Sequence, residues 1–246
     1  MISVEALRIE YGRGRRRTLA VEEVSFRVED GESVALIGPS GCGKTSVLLA
    51  IDGIIRPTSG RIIIRGEEVR GVRRDVAFIT QDAGLLPWKT VRQNAELALR
   101  LQRRPREGIQ EILRSLGLGG FENRYPAELS EGMRRRVGIA RALALRPEVF
   151  LMDEPMANLD TLTRERIQEI ILRLWHMYRF TGLLVTHDIE EAVFLGQRII
   201  ILSPRPARVV EVIENPGMGE AEYRRSEEFY RVVVRAREIL KSLEEK

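Results

Sequence analysis

The chain has 246 residues, a formal net charge of +4, 43% hydrophobic and 31% charged side chains, and one cysteine. That composition belongs to a globular protein able to bury a substantial core, as one large α/β domain or a domain carrying an insertion; the lone cysteine excludes an internal disulfide. The charge excess is too small to argue by itself for nucleic acid binding, and the longest apolar runs, Val149–Met152 and Ile199–Leu202, fall far short of the ~20 residues a membrane span needs.

Met1–Glu10 carries Glu5, Arg8 and Glu10 among its apolar residues, unlike a signal peptide, so a soluble chain is expected, in a reducing compartment. Ile2 to Glu10 alternates loosely and predicts a first strand, with a second near Val21–Val28. The basic cluster Arg13-Gly14-Arg15-Arg16-Arg17 between them reads as a solvated turn, contact with anionic lipid or nucleic acid being the alternative. Tyr11, ending the first strand, is either an edge residue or a flat surface for a purine ring.

The stretch Gly38-Pro39-Ser40-Gly41-Cys42-Gly43-Lys44-Thr45-Ser46 fits the phosphate-binding loop G-x-x-x-x-G-K-[ST] at every fixed position. The apolar run Val34-Ala35-Leu36-Ile37 before it suits a buried parallel strand, and Lys44 to Ile51 can start a helix. A loop so placed curls its N–H groups toward phosphate oxygens, and the helix N-terminus adds about half a positive charge. Lys44 is placed for the β- and γ-phosphates and the Thr45 hydroxyl for Mg²⁺; Ser46 packs or hydrogen-bonds behind it, and Cys42 is a bystander.

Turns at Arg56–Gly60 and Gly66 bound a strand near Arg61–Arg65, and Val76–Ile79 leads to Gln81, at the carboxyl edge where ligand-facing residues of such sheets gather. An amide there suits bridging a metal ion and a water. From 85 to 146 the pattern turns helical, with Thr90–Leu101 and Ile109–Leu116 at helical spacing, and predicts an inserted helical subdomain between core segments 1–84 and 147–205. Within it Ser130 is a good N-cap for a helix whose first N–H groups could face an anion. Val149–Met152 then predicts a buried strand ending in Asp153 and Glu154: Asp153 as the oxygen ligand that holds Mg²⁺, through water, and Glu154 as the group that polarises the attacking water. Ala157-Asn158-Leu159-Asp160 follows. Leu183–Thr186 is the next strand; its position gives His187 a γ-phosphate contact, whereas His176 reads as packing or solvent. Ile199–Leu202 reads as the last sheet strand, and 206–246 as a helical extension that closes the fold or docks on a partner.

Together these residues resemble the ATP-binding subunit of an ABC transporter, over essentially the whole chain. The fold this implies is the α/β P-loop NTPase core, a mostly parallel sheet with an antiparallel β subdomain, plus the helical insert. By the resemblance Tyr11 stacks on adenine, Gly38–Thr45 is the Walker A loop, Gln81 the Q-loop glutamine and Ser130 with Gly132 the signature reaching the partner's ATP. Asp153 and Glu154 are the Walker B pair, Asp160 the D-loop and His187 the switch histidine. It also implies a head-to-tail homodimer sandwiching two ATPs, integral membrane permease subunits, indirectly a solute-binding protein, no nucleic acid, and a peripheral place on the cytoplasmic face of the cell membrane. Leu85-Leu86-Pro87-Trp88, Gly132-Met133-Arg134 and Thr186–Ala192 are similar to the nitrate/sulfonate/taurine importer branch. Glu131 departs from the family, which usually has glycine there. Two other functions compete with import: a non-transport ABC ATPase, against which the chain has neither a long coiled-coil insert nor a second cassette, and a poorly hydrolysing regulatory module in which Glu131 disables turnover.

Overall fold

The computed structural model describes residues 1–12, 14, 17–220 and 222–244. Arg13, Arg15 and Arg16 of the basic cluster lie outside them; Arg17 approaches Glu10 at 3.7 Å. Strands β1 (Ile2–Tyr11) and β2 (Thr18–Val28) pair antiparallel, so the second strand begins three residues before the apolar run that announced it. β3 (Ser33–Ile37) enters the interior and leads through the glycine-rich loop into α1 (Lys44–Ile51). β4 (Ser59–Ile64) and β5 (Glu67–Glu68) complete a four-stranded antiparallel sheet of order β2-β1-β4-β5.

β6 (Val76–Ile79) returns to the β3 sheet, and the chain then leaves for α2 (Val91–Ala95), α3 (Leu97–Leu101), α4 (Ile109–Ser115) and α5 (Glu131–Ala144). β7 (Val149–Asp153), α6 (Thr161–Tyr178), β8 (Thr181–Val185), α7 (Ile189–Leu195), β9 (Arg198–Leu202), β10 (Val209–Glu214) and α8 (Glu227–Glu244) follow. The second sheet has the order β10-β9-β3-β8-β7-β6 and is parallel except at β10. Ile199–Leu202 is therefore not the last strand, and 206–246 is not helical throughout. The six-residue connection after β9 is too short for a crossover, so the chain reverses and adds an antiparallel edge.

Alternation explains how this sheet joins two cores. Val34, Leu36, Leu151, Leu183, Val185, Ile200 and Leu202 face the antiparallel sheet and α1, whereas Ala35, Ile37, Phe150, Met152, Leu184, Ile199 and Ile201 face the helical side. A strand covered on both faces must be apolar at every position, and β3, β7 and β8 are buried throughout. On the helical side Phe150 stacks on Phe180 with ring centroids 4.8 Å apart, and α8 lays Phe229, Val233, Ala236 and Ile239 into the same core. Every parallel strand thus ends at one edge, where the loops carrying the polar residues meet.

Candidate nucleotide site

Because β3 is buried to its last residue and α1 starts at Lys44, Gly38–Gly43 must turn within six residues at that edge. Gly43 has φ 126°, and a Cβ there would lie 2.8 Å from the Ala20 carbonyl oxygen, so only glycine fits. The buried Lys44 ammonium donates to the carbonyls of Gly38 at 2.8 Å and Pro39 at 3.0 Å. Cys42 is buried in the loop, its N–H bonded to the Pro39 carbonyl at 3.2 Å. Ser40, Gly41 and Thr45 are exposed. At the rim the Tyr11 hydroxyl donates to Ser46 Oγ at 2.9 Å, tethering an exposed ring beside the loop.

β7 delivers the acidic pair across from the loop. Thr45 Oγ1 donates to Asp153 Oδ1 at 3.2 Å. Burial pushes the Asp153 carboxyl above its ordinary range and the Glu154 charge adds to this, against the Thr45 hydrogen bond and the Lys44 charge. Glu154 sits in the left-handed region at φ 44°, a strained conformation for a non-glycine residue, with its N–H anchored on the Val185 carbonyl at 2.8 Å. Its Oε2 lies 3.1 Å from His187 Nδ1. Gln81, Glu154 and His187 line one cavity of about 320 Å³ together with Asn158, Arg164 and Glu191. Thr45, Asp153 and Gln81 supply hydroxyl, carboxylate and amide oxygens, the donor chemistry a hard divalent cation selects.

The remaining candidates stand elsewhere. Ser130 caps α5, its hydroxyl accepting from the Met133 N–H at 3.3 Å. A Cβ on Gly132 would meet Thr163 Cγ2 at 2.4 Å, so α5 and α6 approach there only because the side chain is missing. Ser130 and Gly132 border a separate cavity of about 360 Å³, which shares no residue with the Glu154 cavity or the phosphate loop. Asp160 caps α6; hydrogen bonds from Thr163, with an N–H···O distance of 3.0 Å, hold its carboxyl below the ordinary range. Glu131 turns to its own helix, pairing with Arg134 at 2.7 Å and lying 3.7 Å from Arg135. His176, as expected, is on the surface, edge-on to Trp175.

A phosphate loop facing a strand-end acidic pair, with a Ser130-capped helix between them in the chain, is matched by comparison: the ABC transporter family profile aligns with residues 21–157. The chain belongs to the ABC transporter family. This ABC subunit is 40% identical over 216 residues to the aliphatic sulfonates import ATP-binding protein SsuB of Bacillus cereus, covering 87% of this chain and 86% of the relative. It is 44% identical over 218 residues to the taurine import ATP-binding protein TauB of Yersinia pestis, covering 86% and 83%. Its fold matches the dimeric structure of the ATP-binding cassette MJ0796 bound to ADP and Pi, with a TM-score of 0.77, 32% identity and coverage of 87% of this chain and 98% of that one. Membership makes the subunit an ATP-binding, ATP-hydrolysing protein with the P-loop NTPase fold.

Three features of the ABC site escape a reading by motif. Glu191 is 3% exposed; it accepts from the Thr186 hydroxyl at 2.8 Å, and its other oxygen, Oε1, has no partner. The apolar run Ala192–Leu195 after it was the available signal for burial. Arg164 pairs with Asp188 at 3.0 Å, and Asp188 caps α7, so the segment carrying His187 is fixed on both sides. α8 reaches the loop as well: Arg237, Leu240 and Lys241 border a cavity of about 510 Å³ with Gly38–Ser40 and His187.

Proposed function

We propose that this chain energises uptake of a small anionic solute of the nitrate, sulfonate or taurine type through separate membrane subunits. The observation that supports it most is the meeting of the phosphate loop, the Thr45–Asp153 pair at 3.2 Å and the Glu154–His187 pair at 3.1 Å at one sheet edge, in a chain 40–44% identical to import ATP-binding subunits.

Lys44, now spent on two loop carbonyls, exchanges them for β- and γ-phosphate oxygens, a stronger charge-assisted contact. The N–H groups of Gly41 and of Gly43 to Ser46, with the positive end of α1, receive the same phosphates, the Cys42 N–H staying on the Pro39 carbonyl, and Tyr11 offers its exposed face to adenine. Thr45, Asp153 and Gln81 would hold Mg²⁺, which supplies positive charge to the β- and γ-phosphates. Glu154 takes the proton of the attacking water, and His187, within hydrogen-bond distance of Glu154, orients it and contacts the γ-phosphate.

Ser130 and Gly132 line a cavity that no residue of their own phosphate loop lines, which supports completion of each site by a second copy, head to tail, with Asp160 at the shared boundary. No described helix is long and apolar enough to cross a membrane; attachment to the cytoplasmic face runs through the permease subunits. Trp88 is 69% exposed, which favours a docking anchor over a core residue. The test is transport and ATPase by the chain with its membrane subunits in vesicles. Trp88→Ala should lose transport and keep basal ATPase; unchanged transport, or loss of fold by circular dichroism, counts against the docking reading. Failure to co-purify with membrane subunits counts against import.

A further inference from the structure

The motifs account for Lys44, which donates to the Gly38 and Pro39 carbonyls of the phosphate loop. The bend at Gly41 is held by a residue 164 positions away in sequence. Arg205, in the connection between β9 and β10, donates to the Gly41 carbonyl through Nη2 at 3.0 Å and Nε at 3.3 Å. Gly41 has φ 70°, the left-handed region in which a glycine backbone is otherwise free to wander. The peptide between Gly41 and Cys42 is thereby fixed at both ends, its carbonyl by Arg205 and its N–H by the Pro39 carbonyl at 3.2 Å.

The arm that carries Arg205 is itself braced. Ser203 Oγ donates toward the carbonyls of Pro204 at 2.9 Å and Pro206 at 3.0 Å and accepts from the Arg208 N–H at 3.0 Å. Ala207 exchanges hydrogen bonds with β2, accepting from the Glu22 N–H at 2.9 Å and donating to the Ala20 carbonyl at 2.9 Å. Two prolines flanking Arg205 restrict its backbone further. The bracket therefore spans β2, the β9–β10 connection and the loop, and its guanidinium adds a positive charge beside the place where phosphate enters.

We propose that Arg205 is a positioning residue of the nucleotide site, holding the Gly41 bend of the phosphate loop in its phosphate-receiving shape. Lys44 has three donors with two on the Gly38 and Pro39 carbonyls, so reaching both the β- and γ-phosphates releases at least one of these contacts, whereas the Arg205 contact uses no donor of Lys44 and can persist through binding and release. A planar, bidentate donor is needed for one carbonyl approached from two nitrogens, so lysine is an incomplete substitute. The inference rests on the reading of Gly38–Ser46 as the ATP phosphate site.

The test is equilibrium titration with a fluorescent ATP analogue and with ADP, together with KM, kcat and melting temperature, for Arg205→Ala, Arg205→Lys and, as the control, Lys44→Ala. Because the contact is the same in the free and nucleotide-bound loop, its loss acts through the ordering that an unbraced loop must undergo on binding, and Arg205→Ala should weaken both nucleotides about five- to twentyfold. KM should rise in step, kcat stay within twofold, the melting temperature hold, and Arg205→Lys fall between. Affinity within twofold of wild type in Arg205→Ala overturns the inference, and so does loss of kcat at unchanged KM. If Arg205→Ala does not fold, Arg205→Lys decides by the same titration. If Lys44→Ala also keeps full affinity, the site reading itself fails; if only Lys44→Ala loses it, this inference alone does.

Discussion

Replacing Glu191 by glutamine isolates the cost of a buried carboxyl. Burial pushes Glu191 from its ordinary 4.5 up to about 8; the Asp188 and Glu154 charges act in the same direction, and the Thr186 hydrogen bond and the Arg164 charge oppose. Below pH 4.5 the group is protonated in both folded and unfolded chains and costs nothing. As pH rises from there toward about 8 the unfolded chain releases the proton and the folded one keeps it, so stability falls across that window. At ~1.4 kcal/mol per pH unit the cost is on the order of 3 kcal/mol at pH 7 and below about 1 kcal/mol at pH 5. Glutamine keeps the shape and the acceptor for Thr186 but has no proton to release. Glu191→Gln should therefore melt close to wild type at pH 5 and gain relative to it by about 5–10 °C by pH 7, at the 2–4 °C per kcal/mol usual for a chain of this size. Melting curves of both proteins from pH 5 to 8 decide it. A gap that does not change with pH, or one that moves against the variant as pH rises, would refute the argument.

Lys44→Ala should abolish turnover and weaken nucleotide binding, because each charged hydrogen bond lost contributes on the order of 1.5–3 kcal/mol; near-normal ATPase would contradict the phosphate-loop assignment. Glu154→Gln keeps the shape without a base, so ATP should bind while turnover falls by at least about a hundredfold. Size-exclusion chromatography with Mg·ATP should then show a dimer, and a variant that stays monomeric and still hydrolyses ATP rules out Glu154 as the base. Glu131→Gly removes a half-exposed pair with Arg134 at 2.7 Å, worth up to ~1 kcal/mol, and a more distant charge partner of the buried Arg135 at 3.7 Å. The ATPase rate should change by less than about tenfold, or 1.4 kcal/mol in the barrier, and a hundredfold rise would show that Glu131 restrains the enzyme.

What the sequence determined by itself was local. The phosphate loop, the helix cap at Ser130, the strand-end acids and the unbroken apolar runs of β3, β7 and β8 were all legible. Each depends on spacing within a few residues and on backbone groups that must be paired nearby. Glu131 belongs to the same class, since Arg134 and Arg135 lie one helical turn away.

Only the tertiary structure decided which distant groups meet. It sets Arg205 on the Gly41 carbonyl across 164 residues, buries Glu191 beneath Thr186, joins Glu154 to His187 and adds β10 as an antiparallel edge. It also leaves Trp88 on the surface and sets Ser130 and Gly132 on a cavity that no residue of the phosphate loop lines. The physical reason is that side-chain burial and pairing between remote segments follow from how two cores share one sheet. No single window of sequence contains that geometry, whereas caps, turns and strand periodicity are complete within a turn or two of chain.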